Sequence, residues 1–399
     1  MNTTSVVLEG SSASCGGARI NVDLSEMKAN KHGFSLFPGQ IVAIEGMNPT
    51  GRKLMAHRIC EGAAHEKNTS TVGELRRLHH EQQDGSPVKV FTASGPFTTA
   101  DTMDYQPFMD FVHVVMEQSP DVVILTGPFV DMRQEAIKSG KTVIELEDED
   151  GNAMEQVAPY ETFFASKISS IIEEVLESDE NLTTQFVLVP SLDDATAKWV
   201  YPQPPLQDRS SQPLALSVPG SLDLGTMGIG RINERCKEPR VHCLSNPCTF
   251  KINEVVFGVT STDVLFHVSS EETNASLEPG SRLRRLAQHM LQQRSYYPLF
   301  PPPAGSQANL DLKRMENWQM PCNPDVLVVP SKLTCFATSI LDNTVFVNPG
   351  HLTRGTTGGT YGIMDIHPMK RETLDESGGD DVRIPHGVPD RINVEIKRI

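Results

Sequence analysis

The sequence has no long hydrophobic run and no excess of basic residues. None of its apolar stretches approaches the ~20 residues that a membrane-spanning helix requires. The first ten residues lack the basic and then apolar layout of a signal peptide. The 35 Lys and Arg residues are outnumbered by 51 Asp and Glu residues, which gives a net charge of -16. These absences exclude membrane-spanning, secreted and basic nucleic-acid-wrapping proteins, because wrapping needs clustered cations.

The sequence also lacks any C-x-x-C pair among its seven cysteines. Six residues, among them His242, separate Cys236 from Cys243, and four separate Cys243 from Cys248. Zinc sites usually pair their ligands at shorter spacing, so a zinc site here is the weaker interpretation. The favoured interpretation is that these are reduced cysteines of an intracellular protein.

What the sequence contains is an ordinary globular composition over 399 residues, with 38% apolar and 22% charged residues. This length predicts two to three domains. The segment up to residue 66 holds short β-rich stretches, and Ile20, Val22 and Leu24 alternate with polar residues as in a half-buried strand. We predict a small oligonucleotide-binding-type barrel over residues 1–66. The polar residues 67–87 are predicted to be a linker.

From Val88 onward, short apolar runs alternate with helical patterns. Continuous apolar runs of four to six residues indicate strands buried on both faces. The runs are Val88–Ala93, Val122–Leu125, Phe186–Val189, Val255–Val259, Val326–Val329 and Val345–Val347. Helical stripes between them include Phe108, Phe111, Val112 and Val115, and Ser281 is a plausible helix cap. We therefore predict a layered α/β domain over 88–399, with a disordered insertion at 206–246 that is rich in Pro, Gly and Ser.

The turns after these strands are where a layered α/β protein collects its chemistry. They consist mainly of Gly-Pro, Pro-Ser and Asn-Pro-Gly sequences. A two-metal hydrolase needs carboxylates and histidines that converge on ions ~4 Å apart. The available residues are Asp131, Asp193, Asp194, Asp263 and His351. They are few and mostly set back from the turns, so a working metal site is not favoured and no cofactor is predicted.

A series of short motifs runs in order along nearly the whole chain. They include Phe37-Pro38-Gly39-Gln40, Glu45-Gly46-Met47-Asn48-Pro49, Ser94-Gly95-Pro96-Phe97, Thr126-Gly127-Pro128-Phe129, Val189-Pro190-Ser191-Leu192-Asp193-Asp194, Arg294-Ser295-Tyr296-Tyr297-Pro298 and Val347-Asn348-Pro349-Gly350. These motifs resemble the accessory B-subunit family of DNA polymerases alpha, delta and epsilon, and those near the start favour the alpha–primase branch.

The resemblance implies a nuclear, non-catalytic scaffold for DNA replication. Its expected partners are the C-terminal zinc-containing region of the polymerase alpha catalytic subunit and, through the complex, the primase subunits; contact with DNA is expected to be mostly indirect. The family carries a helical N-terminal domain before its barrel. Since the sequence starts within the barrel region, we expect that domain to be absent, and whether the first barrel strand is present stays open.

The resemblance further implies a calcineurin-like phosphodiesterase domain whose metal site has decayed. The turns that bear ligands in active enzymes are here represented by Gly95, Pro96, Gly127, Pro128, Ser191, Asp193, Asp263 and His351. His351 is the first histidine of the last motif, and the second is missing. Taken without the resemblance, the Gly-Pro pairs are rigid strand-ending turns and His351 is a surface polar residue.

Three alternatives stay open. One is a metal-dependent phosphoesterase that uses Asp131 and His351. Another is a single-strand DNA-binding barrel, for which base stacking would have only Phe34 and Phe37 available and the cationic candidates are Arg52, Lys53 and Arg58. The third concerns the run Arg294, Tyr296 and Tyr297 before prolines, which is either a partner-docking patch or an extended segment laid on the domain surface.

Overall fold

The computed structural model of the chain describes residues 2–30, 33–147, 153–178, 182–208, 226–277 and 280–399. Its strands, numbered along the chain, are β1 Ser5–Glu9, β2 Arg19–Asp23, β3 Phe34–Leu36, β4 Ala43–Met47, β5 Lys53–Cys60, β6 Thr69–Thr71, β7 Val88–Ser94, β8 Val122–Thr126, β9 Val143–Glu147, β10 Ala153–Val157, β11 Gln185–Val189, β12 Val241–Cys243, β13 Cys248–Ile252, β14 Val255–Val259, β15 Thr273–Ala275, β16 Val326–Val328, β17 Phe336–Ile340, β18 Thr344–Asn348, β19 Thr353–Arg354, β20 Thr357–Gly358, β21 Thr360–Ile366, β22 Arg383–Pro385 and β23 Ile392–Arg398.

The α-helices are α1 Ser12–Cys15, α2 Ser25–Ala29, α3 Val72–Arg76, α4 Gln106–Gln118, α5 Glu135–Lys138, α6 Tyr160–Phe164, α7 Ser170–Ser178, α8 Ile229–Arg235, α9 Val264–Glu271, α10 Arg282–Gln292 and α11 Arg371–Glu376. Segments of π-helix follow α3 and α6, at Arg77–Gln82 and Ala165–Ser169. Short 3-10 helices span Leu312–Trp318 and Val388–Asp390. Within the described residues, no helix is both long and apolar enough to cross a lipid bilayer.

The chain divides into two compact units. The smaller unit consists of Met1–Glu66, Val264–Ser306 and Gln319–Asn323, and the remainder forms the larger unit. The sequence predicted one contiguous barrel followed by one contiguous α/β domain. The smaller unit instead recruits a distant segment, because β15 pairs antiparallel with β3 across more than 200 residues of chain.

The smaller unit contains a four-stranded sheet in the order β1-β2-β5-β4. Within it, β2 contains Ile20 and Val22 of the alternating stretch that the sequence predicted as a strand. Val6, Val22 and Ala56 of this sheet are buried in one cluster with Leu24, which directly follows β2. The cap of α10 is also as predicted, since the Ser281 side chain accepts a hydrogen bond from the Arg284 N–H.

The larger unit is built on two stacked sheets. One has the order β12-β11-β8-β7-β21-β23 and the other β13-β14-β16-β18-β17. The strands β7, β8, β11 and β12 run parallel, as do β14, β16 and β18. Valines of both sheets share one buried cluster, while α4, α6, α7 and α8 contribute to a second cluster on the opposite side of the six-stranded sheet. The predicted layered α/β architecture is therefore confirmed.

Two predicted irregular segments are in fact regular structure. Residues 67–87, predicted as a linker, include β6, α3 and a π-helical turn, and both Val72 and Leu75 are fully buried. The sequence did not indicate this helix, because most residues around Val72 and Leu75 are polar. Within the predicted insertion at 206–246, residues 209–225 lie outside the described part of the chain. The described remainder includes α8 and β12, which pairs with β11, so it is not a disordered loop.

Candidate functional site

The strand-end turns of the larger unit meet along one edge of its two sheets. The turn after β7 bonds to the end of β8 through the Gly95 N–H and the Thr126 carbonyl, 2.8 Å apart. The turn after β8 bonds to β11 in the same way, through the Gly127 N–H and the Val189 carbonyl at 2.8 Å. Both Gly-Pro peptide bonds, 95–96 and 127–128, are cis. The predicted turns are therefore brought together as one site.

The glycines of these turns are required by close packing. A Cβ atom on Gly95 would lie 2.0 Å from the Pro128 carbonyl oxygen, and one on Gly127 would lie 2.1 Å from Asp194 Oδ2. The distance from that second Cβ to the Ser191 Cβ would be 3.0 Å. No larger side chain fits between the turns without displacing them. This part of the edge is consequently filled by protein atoms.

Asp194 is fully buried and serves the backbone of two turns. Its Oδ1 accepts hydrogen bonds from the N–H groups of Phe129 and Val130, and its Oδ2 accepts one from the Ser191 N–H at 2.8 Å. Burial raises the pKa of Asp194 to about 7, although the three N–H donors lower it. Since its oxygens already hold backbone groups, this carboxylate is a structural crosslink.

Asp131 and Asp193 are held by an arginine that the sequence analysis missed. Arg133 donates to both oxygens of Asp131, at 3.0 and 3.1 Å, and its Nη1 lies 3.5 Å from Asp193 Oδ2. Burial would lower the pKa of Arg133, but the carboxylates around it raise that pKa. Burial also raises the pKa of Asp193, against the opposing effect of the Arg133 charge. The Asp-x-Arg spacing of Asp131 and Arg133 was the signal that could have revealed this pair.

His351 lies against the first turn. Its Nδ1 is 2.7 Å from the Gly95 carbonyl oxygen, which can only accept a hydrogen bond, so Nδ1 carries the proton. Burial lowers the pKa of His351 and favours the neutral ring. Its Nε2 therefore presents a lone pair, and this buried atom has no hydrogen-bond partner among the described residues.

Two further turns are held by hydrogen bonds to the Lys332 N–H and to the side-chain amide of Asn246. Asp263 accepts a hydrogen bond from the Lys332 N–H at 2.9 Å. Asn246 accepts hydrogen bonds from Thr260 Oγ1 at 2.9 Å and the Ser261 N–H at 3.2 Å. The described residues contain no group of three or more His, Cys, Asp or Glu side chains placed to hold a metal ion.

The three candidate zinc-binding cysteines are free thiols. Burial raises the pKa values of Cys243 and Cys248 to about 12, which keeps both sulfurs protonated at neutral pH. Within the described residues, these cysteines do not join a group of three or more side chains that could hold a metal ion.

The candidate docking residues of the smaller unit are mostly internal. Tyr296 and Tyr297 are each 2% exposed, and the Tyr297 hydroxyl lies 2.9 Å from His267 Nδ1. Arg294 is exposed, but its guanidinium donates to the carbonyl oxygens of Ala63 and Ala64. Of the two interpretations of this run, an exposed aromatic patch does not match the structure, because both tyrosine rings are buried.

The candidate DNA-binding residues of the barrel region do not form a stacking surface. Phe34 and Phe37 are 1% and 2% exposed, so neither ring is available to a base. Lys53 pairs with Asp23 at 2.6 Å. Arg52 and Arg58 are exposed. The cations therefore resemble ordinary surface charge.

Comparison with protein family models identifies the family of the chain. The family model for the B subunit of DNA polymerase alpha/epsilon matches residues 90–338. The chain belongs to this B-subunit family. The model of the OB domain from the B subunit of DNA polymerase alpha matches residues 1–62, which lie in the smaller unit. The resemblance drawn from the motifs is thereby confirmed, as is an oligonucleotide-binding-type domain combined with an α/β domain.

Curated members of this family align with most of the chain. The DNA polymerase alpha B subunit of Rattus norvegicus is 36% identical over 94% of the chain and 54% of its own length. The proteins of the same name from Mus musculus and Bos taurus are also 36% identical, over 91% and 86% of the chain and 51% and 48% of their own lengths. The chain thus spans about half the length of the curated relatives it matches.

Proposed function

We propose that the chain is a non-catalytic accessory subunit of a DNA polymerase alpha–primase complex in the nucleus. In this proposal it binds the C-terminal zinc-containing region of the catalytic subunit, helps to join that subunit to primase, and supports primer synthesis. It needs no cofactor, and its contact with DNA is mostly indirect. The larger unit is an inactivated calcineurin-like phosphodiesterase domain.

The observation that supports this proposal is how the strand-end carboxylates are used. Asp194 accepts three backbone N–H groups, and Arg133 holds Asp131 with two hydrogen bonds. Hydrolysis by two metal ions needs carboxylates that are free to bridge them. Because Asp131 and Asp194 already accept hydrogen bonds from the protein's own N–H groups, we favour a structural role for this edge of the sheets. The names of the relatives point to the same role.

The test is co-expression with the C-terminal region of the polymerase alpha catalytic subunit. Light scattering on the purified species is expected to give the mass of a one-to-one complex. A stable heteromeric interface of this kind buries about 2,000 Å² or more, so the complex should survive gel filtration. The matched control is a catalytic subunit that lacks this region. A monomer that ignores the partner would reject the accessory role.

The phosphoesterase alternative makes a different prediction. It requires bound transition-metal ions and hydrolysis that disappears in Asp131→Ala and His351→Ala. We expect the purified chain to hydrolyse a bis(p-nitrophenyl) phosphate substrate no faster than these two variants in the presence of Mn²⁺. Activity that both substitutions abolish would replace the scaffold proposal for the larger unit.

The DNA-binding alternative is tested most strictly at low salt, where electrostatic binding is strongest. We expect a fluorescent oligo(dT) to show no saturable anisotropy change with the chain. The control variant Arg52→Glu/Arg58→Glu should then behave like the unaltered chain. Tight binding that this double substitution removes would support a single-strand-binding barrel.

A further inference from the structure

We infer that Arg133, whose side chain is 36% exposed, is the cation that neutralises the strand-end carboxylates Asp131 and Asp193, in the role that a bound metal ion would otherwise fill. The inference concerns how this edge of the larger unit is held together. It stands whether or not the chain binds a polymerase.

The first support is the geometry of the guanidinium. Its Nε lies 3.0 Å from Asp131 Oδ1 and its Nη2 lies 3.1 Å from Asp131 Oδ2, which is the paired arrangement that arginine forms with a carboxylate. The Arg133 N–H adds a third bond to Asp131 Oδ1 at 2.9 Å. A third nitrogen, Nη1, reaches Asp193 Oδ2 at 3.5 Å. One cation therefore contacts carboxylates from two different turns.

The second support is that these two turns are joined by backbone bonds at the same place. The Met132 N–H donates to the Asp193 carbonyl at 2.9 Å, and the Ala195 N–H donates to the Val130 carbonyl at 2.9 Å. The acidic residues 131, 193 and 194 are consequently forced into proximity. Like charges in such proximity repel one another unless a cation lies between them.

The other nearby groups do not provide this neutralisation equally well. Lys332 lowers the pKa of Asp193, but less than Arg133 does. His351 is held neutral, with its Nε2 lone pair unpartnered among the described residues. Asp194 is already saturated by backbone donors. Arg133 is thus the principal counter-charge of Asp131 and Asp193.

This arrangement has a consequence for metal binding. The described residues hold no group of three or more His, Cys, Asp or Glu side chains that could bind a metal ion. Without Arg133, two carboxylates would remain close together and unneutralised. Hard divalent cations bind proteins through one or two carboxylates while they keep several waters. Removing the guanidinium is therefore expected to create weak affinity for such a cation.

The experiment compares the full chain with R133M and with the triple variant D131N/R133M/D193N. Melting temperatures are measured with EDTA and with millimolar MnCl2. We expect R133M to melt about 2–4 °C below the unaltered chain in EDTA, because the buried carboxylate of Asp131 loses its partly exposed cation. Manganese should raise the melting temperature of R133M, but not that of the unaltered chain or the triple variant.

Each outcome decides the matter. The inference is overturned if R133M melts like the unaltered chain, or if manganese shifts R133M and the triple variant equally. Should R133M fail to fold, the triple variant decides: its folding would support neutralisation of charge, whereas its failure to fold would show that the arginine acts through packing. R133K, which keeps the charge but loses the two-pronged contact, should melt between R133M and the unaltered chain.

Discussion

His79 and Glu254 form a buried pair in the larger unit, with the histidine Nε2 2.9 Å from the glutamate Oε1. The Met369 N–H donates to the other ring nitrogen of His79, so the proton of a neutral ring lies on the side of Glu254. Arg391 contacts the same carboxylate oxygen. Burial would raise the pKa of Glu254, but His79 and Arg391 together lower it to about 2.

The pair predicts acid-sensitive stability. Because the folded-state pKa of Glu254 lies below its ordinary value, its stabilisation is complete above about pH 4.5 and is lost as the pH falls toward 2. Glu254→Gln is expected to cost about 3–5 kcal/mol at pH 7. The difference in urea midpoint between the two proteins should shrink as the pH falls through this window. Glu395→Gln, at an exposed ion pair, is the matched control and should leave the midpoint unchanged.

A second prediction concerns the packing of the strand-end turns. Gly127→Ala places a Cβ 2.1 Å from Asp194 Oδ2, so either the turn or the buried carboxylate must move. We expect a loss of about 1–3 kcal/mol or more in the free energy of unfolding. Gly379→Ala is the control, because nothing lies within 4 Å of its added Cβ. Equal stability of the two variants would show that the turns are loosely packed.

A third prediction concerns His289 in the smaller unit. Its Nε2 lies 2.8 Å from Ser35 Oγ, and the charged groups near it are Glu61, Glu272 and Arg285. Burial lowers its pKa to about 4. Protonation thus favours unfolding, and the stability contributed by the neutral ring declines as the pH falls from about 6.5 to 4.

The variant His289→Gln should remove this decline, worth about 1–3 kcal/mol. Denaturant unfolding at pH 7 and pH 4.5 measures it. His113→Gln, which changes a histidine on the exposed side of α4, serves as the control and should keep the decline. A decline that persists in His289→Gln would place the titrating group elsewhere.

The cysteines provide a fourth prediction. Cys15 and Cys60 are exposed, whereas burial raises the pKa values of Cys243 and Cys248 to about 12. Since the thiolate is the reactive form, iodoacetamide at pH 8 should label the first two quickly and the second two only after unfolding. Peptide mass spectrometry follows each site. Rapid labelling of Cys248 in the folded chain would contradict its buried position.

Much of the larger unit could be predicted from its sequence because its signals are local. A continuous apolar run such as Val255–Val259 indicates a strand buried on both faces, and β14 is that strand. The stripe of Phe108, Phe111 and Val115 likewise matches the buried face of α4. The Gly-Pro turns identified the edge where the candidate site lies.

The features that the sequence did not predict are contacts between residues that lie far apart in the chain. The pairing of β3 with β15 joins positions 34–36 to 273–275, and no local pattern encodes such a pairing. The burial of Tyr297 likewise involves a contact that is not local, since its hydroxyl lies 2.9 Å from Nδ1 of His267. The function of Arg133 was missed because Asp131 and Asp193 are 62 residues apart and become neighbours only in the fold.

The interrupted course of the smaller unit affects how the protein can be synthesised. Its first 66 residues leave the ribosome about 200 residues before β15 and α10, which belong to the same unit. At ~5–20 residues per second, this interval lasts roughly 10–40 s. During that time β3 has no strand to pair with, and Phe34 lacks part of its final surroundings. The first part of the smaller unit therefore cannot reach its final state until residues 67–263 of the larger unit have been translated.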